Sequence, residues 1–147
     1  MKTIQKATTD FGMPWETEFG YTQAVKVGDT IYIAGQLGHD DKGNIVVPSP
    51  ARADEKMSAQ AAMEVQMRQA YANTQKILTR FGATLDNVVE EVLYVLDMQS
   101  AFAVAGRVRK AAYGVEKPEV ASTMFVTPGL ALPGQLIEIK FIARIQT

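Results

Sequence analysis

The sequence has no cysteine, one histidine and one tryptophan in 147 residues. Without cysteine there are no disulfides, no thiolate zinc sites and no cysteine nucleophile. A single histidine provides neither a zinc-type histidine pair nor the paired imidazoles of acid–base RNA cleavage. Charge of one sign is also missing: 15 Lys and Arg stand against 16 Asp and Glu, a net charge of −1. A nucleic-acid binder normally shows a basic excess, so no nucleic-acid partner is expected. No apolar run approaches the ~18 residues of a membrane span. Met1-Lys2-Thr3-Ile4-Gln5-Lys6 runs straight into polar residues and lacks the apolar stretch of a signal peptide. A soluble, cytoplasmic protein without a membrane partner is the expectation. There is no G-x-G-x-x-G, no Walker loop and no G-x-S-x-G elbow, and no cofactor or metal is expected. What is present is 47% hydrophobic and 21% charged residues, the composition of a globular chain. The length suits a single domain over 1–147.

The order of elements reads β-β-α-β-α-β-β. Phe11 to Gly20 reads as an aromatic-rich loop, followed by a strand over Tyr21–Val27 that stops at the Gly28-Asp29 turn. Its partner is Thr30–Gly35, and turn residues follow at Lys42-Gly43-Asn44. Residues 48–58 read as a Pro-, Ser- and charge-rich connection. A long helix is expected over Ala59–Phe81, where Met63, Met67, Ala70, Thr74, Ile77 and Phe81 form one apolar face. Gly82 ends it. A strand at Val88–Leu96, a helix at about Ser100–Tyr113 and strands at Val120–Val126 and Leu136–Ile145 complete the chain. This pattern predicts an α+β fold, a mixed sheet with two helices packed on one face.

The last strand is the most informative stretch. Ile137, Ile139 and Phe141 alternate with Glu138, Lys140 and Arg144. A carboxylate among β-branched and aromatic residues is costly if buried, so Glu138 needs a partner or a task. The plain alternative is a solvated carboxylate paired with Lys140 or Arg144. Leu136 and Ile142 share the charged face, which marks part of it as an interface. Tyr21 either offers its hydroxyl to a ligand or packs its ring at a strand edge. Trp15, Phe11 and Phe19 form either an aromatic flap over a cleft or a packed segment. Arg107, Arg109 and Lys110 read first as a solvated helix face and second as a source of a binding cation. His39, beside Asp40 and Asp41, reads first as a surface turn residue and second as a general base.

Several of these stretches together resemble the RidA/YjgF family of imine deaminases, also labelled endoribonuclease L-PSP. Gly20-Tyr21-Thr22-Gln23-Ala24 with Ile33-Ala34-Gly35-Gln36-Leu37-Gly38 is similar to its opening hairpin. Asn73–Phe81, Leu85–Val89 and Asp97–Phe102 resemble its helices and the strand between them. Ser122-Thr123 and Pro133–Ala143 are similar to its closing strands. The resemblance spans roughly Gly20 to Ile145. It implies a homotrimer with ligand clefts between subunits, and hydrolysis of a small imine or enamine without metal or organic cofactor. It implies Glu138 and Tyr21 as catalytic residues and Gly35, Ser122 and Thr123 as substrate-binding ones. Where the family's enzymes carry an Arg that grips the substrate carboxylate, this chain has Ala121. Arg107 is the candidate replacement cation. The implied substrate therefore differs from the usual 2-imino acids. A non-catalytic metabolite-binding module and an endoribonuclease or translation inhibitor are the alternatives.

Overall fold

Period-two alternation builds the sheet, and the strand register decides which face meets the helices. The computed structural model describes residues 1–48 and 58–146. Its strands are β1 (Ala7–Thr9), β2 (Ala24–Val27), β3 (Thr30–Gln36), β4 (Val88–Val95), β5 (Ala121–Val126) and β6 (Ile137–Arg144). Its helices are α1 (Pro14–Phe19), α2 (Ala59–Thr79) and α3 (Met98–Tyr113). The sheet order is β1-β2-β3-β6-β4-β5. Every pair is antiparallel except β4–β5, whose parallel pairing uses α3 as its crossover. The expected α+β class with a mixed sheet is what the molecule adopts.

Ile137, Ile139, Phe141 and Ala143 of β6 are fully buried against the helices, with Ile31 and Ile33 of β3 and Leu93 and Val95 of β4. From the helix side come Met63, Met67, Ala70 and Ile77 of α2, as the apolar periodicity predicts, and Val104 and Val108 of α3. Neither α2 nor α3 packs on the opposite face of the sheet. It presents Tyr32 of β3, Glu138, Lys140, Ile142 and Arg144 of β6, and Phe125 of β5. Leu136, expected on that face, instead packs against the core.

Besides a single 3-10 turn at Leu85–Asn87, two elements are additions to the expected order. The segment read as an aromatic loop contains α1. Pro14 opens it at a position where the missing N–H costs nothing, and Gly20 closes it in the left-handed conformation at φ 75°. The Glu16 carboxylate accepts the N–H groups of Phe11, Gly12 and Met13, each at 2.8 Å. With six residues, α1 is too short to show an apolar period. The short strand β1 precedes it and pairs with β2. The connection expected at 48–58 lies, from 49 to 57, outside the described residues.

Candidate active site

The side chain of Glu138 emerges from the open face of β6 and lies over Gly35 of β3. A Cβ built on Gly35 would sit 2.4 Å from both Cδ and Oε2 of Glu138, so only glycine leaves the carboxylate its place. Around it opens a cleft of about 260 Å³, lined by Trp15, Phe19, Tyr21, Gly35, Leu37, Ala131, Leu132 and Glu138. Three residues singled out in the sequence, Tyr21, Gly35 and Glu138, are thus brought together, and Trp15 and Phe19 of α1 form the aromatic wall. Phe11 is directed elsewhere: it meets His39 edge-on and carries Arg80 over its ring.

The Glu138 carboxylate is held lightly. Its one hydrogen bond among the described residues comes from Gln135 Nε2 at 3.4 Å. Gln135 is buried; it also donates to the Ile137 carbonyl at 3.2 Å and accepts the Leu132 N–H at 3.2 Å. One side chain therefore fixes both the Leu132 wall and the reach of Glu138. Ion pairing with Lys140 or Arg144 is not adopted, since Arg144 pairs with Asp29 at 2.6 Å. Burial raises the Tyr21 hydroxyl above its ordinary value, and the nearby carboxylates of Glu16 and Glu138 add to the effect. Tyr21 stays a proton donor throughout the physiological range.

Behind the cleft runs a buried polar chain that sequence reasoning did not find. Gln23 Nε2 donates to Glu16 at 2.8 Å, and Gln36 Nε2 donates to Gln23 Oε1 at 2.9 Å. It ties α1 to β2 and β3, and so fixes Trp15 against the sheet. Gln23 directly precedes β2 and Gln36 ends β3, so neither carries a mark of burial in the strand alternation. The Trp15 indole N–H is buried without a hydrogen-bond acceptor among the described residues.

His39 corrects an expectation. It is buried, 3% exposed, with its ring edge-on to Phe11 and Trp15 and Nδ1 at 2.8 Å from the Asp40 carbonyl. It supports α1 from behind rather than lying on the surface. Among the described residues no group of three His, Asp or Glu could hold a metal ion.

Arg109 is a second correction. The solvated helix face expected at 107–110 holds a half-buried guanidinium that pairs with the fully buried Glu91. Tyr71 and Tyr113 donate to Glu91 at 2.8 and 3.0 Å, and Ser122 donates to it at 3.0 Å. Burial, and then the Glu91 charge, push both phenols far above their ordinary values. Burial alone would lower the Arg109 pKa, but its partners Tyr71 and Glu91 hold it above its usual value. This cluster joins α2, α3, β4 and β5.

The remaining sequence candidates lie apart from the cleft within the chain. Ser122 belongs to the Glu91 cluster. Ala121 and Thr123 occupy the open face of β5, separated from β6 by β4. Arg107 pairs with Glu64 of α2 on the helix layer.

A family model described as Endoribonuclease L-PSP matches residues 14–145. A mouse protein named 2-iminobutanoate/2-iminopropanoate deaminase is 32% identical over 124 residues, 84% of this chain and 79% of its own. A RutC family protein of Pyrococcus horikoshii is likewise 32% identical over 124 residues, 84% of this chain and 85% of its own. Among solved structures, a YjgF/YER057c/UK114 family member from Mycobacterium tuberculosis superposes with TM-score 0.73 at 27% identity, covering 96% of this chain and 100% of that one. RidA from an Antarctic Psychrobacter superposes with TM-score 0.69 at 29% identity, covering 99% and 100%. With the sheet order, the helices and the family model in agreement, the chain belongs to the RidA/YjgF family.

Proposed function

We propose that this protein hydrolyses an imine, an enamine or a related C–N bond of a small metabolite in the cleft that holds Glu138 and Tyr21. One observation carries the reading: a carboxylate with a single long hydrogen bond among the described residues, in an aromatic cleft over a glycine whose lack of Cβ makes room for it. Such a group is free to take a proton from water as the oxygen bonds to the imine carbon. Tyr21, kept protonated, offers its hydroxyl to the polar end of the ligand. The nitrogen then accepts a proton, the C–N bond breaks with its electron pair going to nitrogen, and ammonia leaves a carbonyl compound. The deaminase name of the mouse relative supports the reaction class.

The substrate in this proposal is not one of the usual 2-imino acids, because Ala121 supplies no guanidinium for a carboxylate. Losing a buried bidentate contact of that kind typically costs ~2–5 kcal/mol of ligand affinity. The proposal places the reaction in a cytoplasmic, single-domain subunit that works as a homotrimer. A non-catalytic binding module would use the same cleft without turnover.

Imines generated in situ by amine and amino-acid oxidases, with loss of the imine followed by trapping, test the reading. The expected result is acceleration of at least one imine over buffer, with weak or no effect on 2-iminopropanoate. No acceleration of any imine would leave the binding module as the function. Strong turnover of 2-iminopropanoate would show that another cation, such as Arg107, grips the carboxylate.

A further inference from the structure

Trp15 is the sole tryptophan of the chain, and its ring is held from several sides. Along the chain its neighbour Glu16 is locked by the N–H groups of Phe11, Gly12 and Met13 and by the Gln23 amide. His39 meets the indole edge-on, with ring centroids 5.2 Å apart. The turn at Gly43 closes on it so tightly that a Cβ there would lie 3.0 Å from Trp15 Cζ3 and 3.3 Å from Cη2. These contacts set the indole in the cleft wall that it shares with Tyr21.

The indole N–H stands out in this well-satisfied layer. It is covered by the chain's own atoms and meets no acceptor among the described residues. A buried donor left unpaired is destabilising, and native folds rarely keep one without a task. Packing alone would be served by a phenylalanine, which brings no donor. Neither water nor a neighbouring subunit reaches an atom covered in this way, so the acceptor has to come from within the chain. The Tyr21 hydroxyl is the acceptor at hand. Burial is the main reason its phenol lies above the ordinary value, and the Gln23 amide and the Trp15 N–H, both beside its oxygen, act the other way. A small side-chain rotation completes the bond between indole and phenol.

We infer that Trp15 is a positioning residue for Tyr21: its indole N–H donates to the phenolic oxygen and so turns the Tyr21 O–H toward the ligand. The inference rests on the reading of this cleft as the ligand site, because only a ligand gives Tyr21 a use for a directed proton. A phenolic oxygen that already accepts has its own proton left to give, and hydrogen bonds in series polarise one another. Tyr21 therefore acts as a donor, and the ligand atom that it meets is an acceptor. The short helix α1 acquires a purpose beyond closing the cleft. Glu16, His39 and Gly43 hold the indole, the indole holds the phenol, and the phenol meets the ligand.

With a single tryptophan in the chain, one indole N–H signal in a nitrogen–proton correlation spectrum reports this contact. Tyr21→Phe keeps the ring and removes only the oxygen. The indole proton of this variant is expected to move upfield, as a hydrogen-bonded N–H does when its acceptor is lost. An unchanged or downfield signal overturns the inference. This measurement needs no substrate and so stands apart from the hydrolytic reading. With an accelerated imine, Trp15→Phe should lower kcat/KM by about threefold to tenfold, the worth of one neutral hydrogen bond. In the Tyr21→Phe background the same change should cost nothing more. An equal fall in both backgrounds assigns the effect to packing of the ring and overturns the inference. If no imine is accelerated, the hydrolytic reading fails and the indole signal alone decides whether Trp15 positions Tyr21.

Discussion

Gly35 and Glu138 form a pair in which one residue's absent side chain gives the other its position. The contact a Cβ would make is with the far end of a flexible side chain, so the backbone can keep its course while the carboxylate moves. Gly35→Ala should therefore leave the melting temperature within a few degrees and displace Glu138 from the cleft. A displacement of ~1 Å in a catalytic group can cost on the order of 10²-fold in rate. Circular dichroism and the imine assay on the same preparation check this. An alanine variant that is folded and fully active would show that the placement of Glu138 over Gly35 does not matter. The sequence singled out Glu138 as a carboxylate out of place in a strand, and Gly35 entered only through the family resemblance. Gln135 was not legible, because its task depends on the three-way contact with Leu132, Ile137 and Glu138 that the turn after Pro133 creates.

At the scale of elements, β4 shows why part of the molecule could not be read in advance. Simple alternation from the buried Val88 would place Glu90 inward. The register shifts between Val88 and Glu90, and the irregularity turns Glu91 inward instead. A bulge has no clear sequence mark here, so the Glu91 cluster was hidden and Arg109 looked like one more surface cation. Periodicity found α2 and α3 because they are long; it missed α1, whose place is set by Glu16, Gln23 and His39 rather than by its own pattern. The cluster makes two predictions. Arg109→Ala leaves the fully buried Glu91 without its cation, and breaking such a pair costs ~3–5 kcal/mol. Chemical denaturation should show a loss of that order; a loss below ~1 kcal/mol would mean that Tyr71, Tyr113 and Ser122 suffice for Glu91. The second concerns pH. The folded-state values of Tyr71 and Tyr113 are raised, so their contribution is fully present below the ordinary phenol value of about 10 and is lost as pH rises beyond it. The melting temperature should fall above pH ~10, with late-titrating tyrosines ionising together with unfolding in ultraviolet absorbance.

Among the described residues, α2 and α3 cover one face of the sheet and leave the other largely open. The uncovered face carries Tyr32 and Phe125, both about half exposed, with Ile142 between charged neighbours. An uncovered face with large apolar side chains is expected to associate, and the proposed homotrimer would bury it. Light scattering at micromolar concentration should return about three chain masses, and Ile142→Glu should shift the population to smaller species without unfolding. A wild-type monomer would contradict the proposal. The fold was legible because the apolar alternation of β3, β4 and β6 marks a sheet wherever it occurs. For the proposed assembly the sequence offers only a face of mixed character.

The central claim is that Glu138 acts on the reacting ligand and is not merely a surface carboxylate. The most direct measurement is the turnover of an accelerated imine by Glu138→Gln, which keeps the size of the side chain and removes its charge. The account predicts a fall of roughly 10²–10⁴-fold, the range typical of a lost acid–base group, with unchanged circular dichroism and unchanged mass in solution. Turnover at the wild-type rate by the folded variant would contradict it.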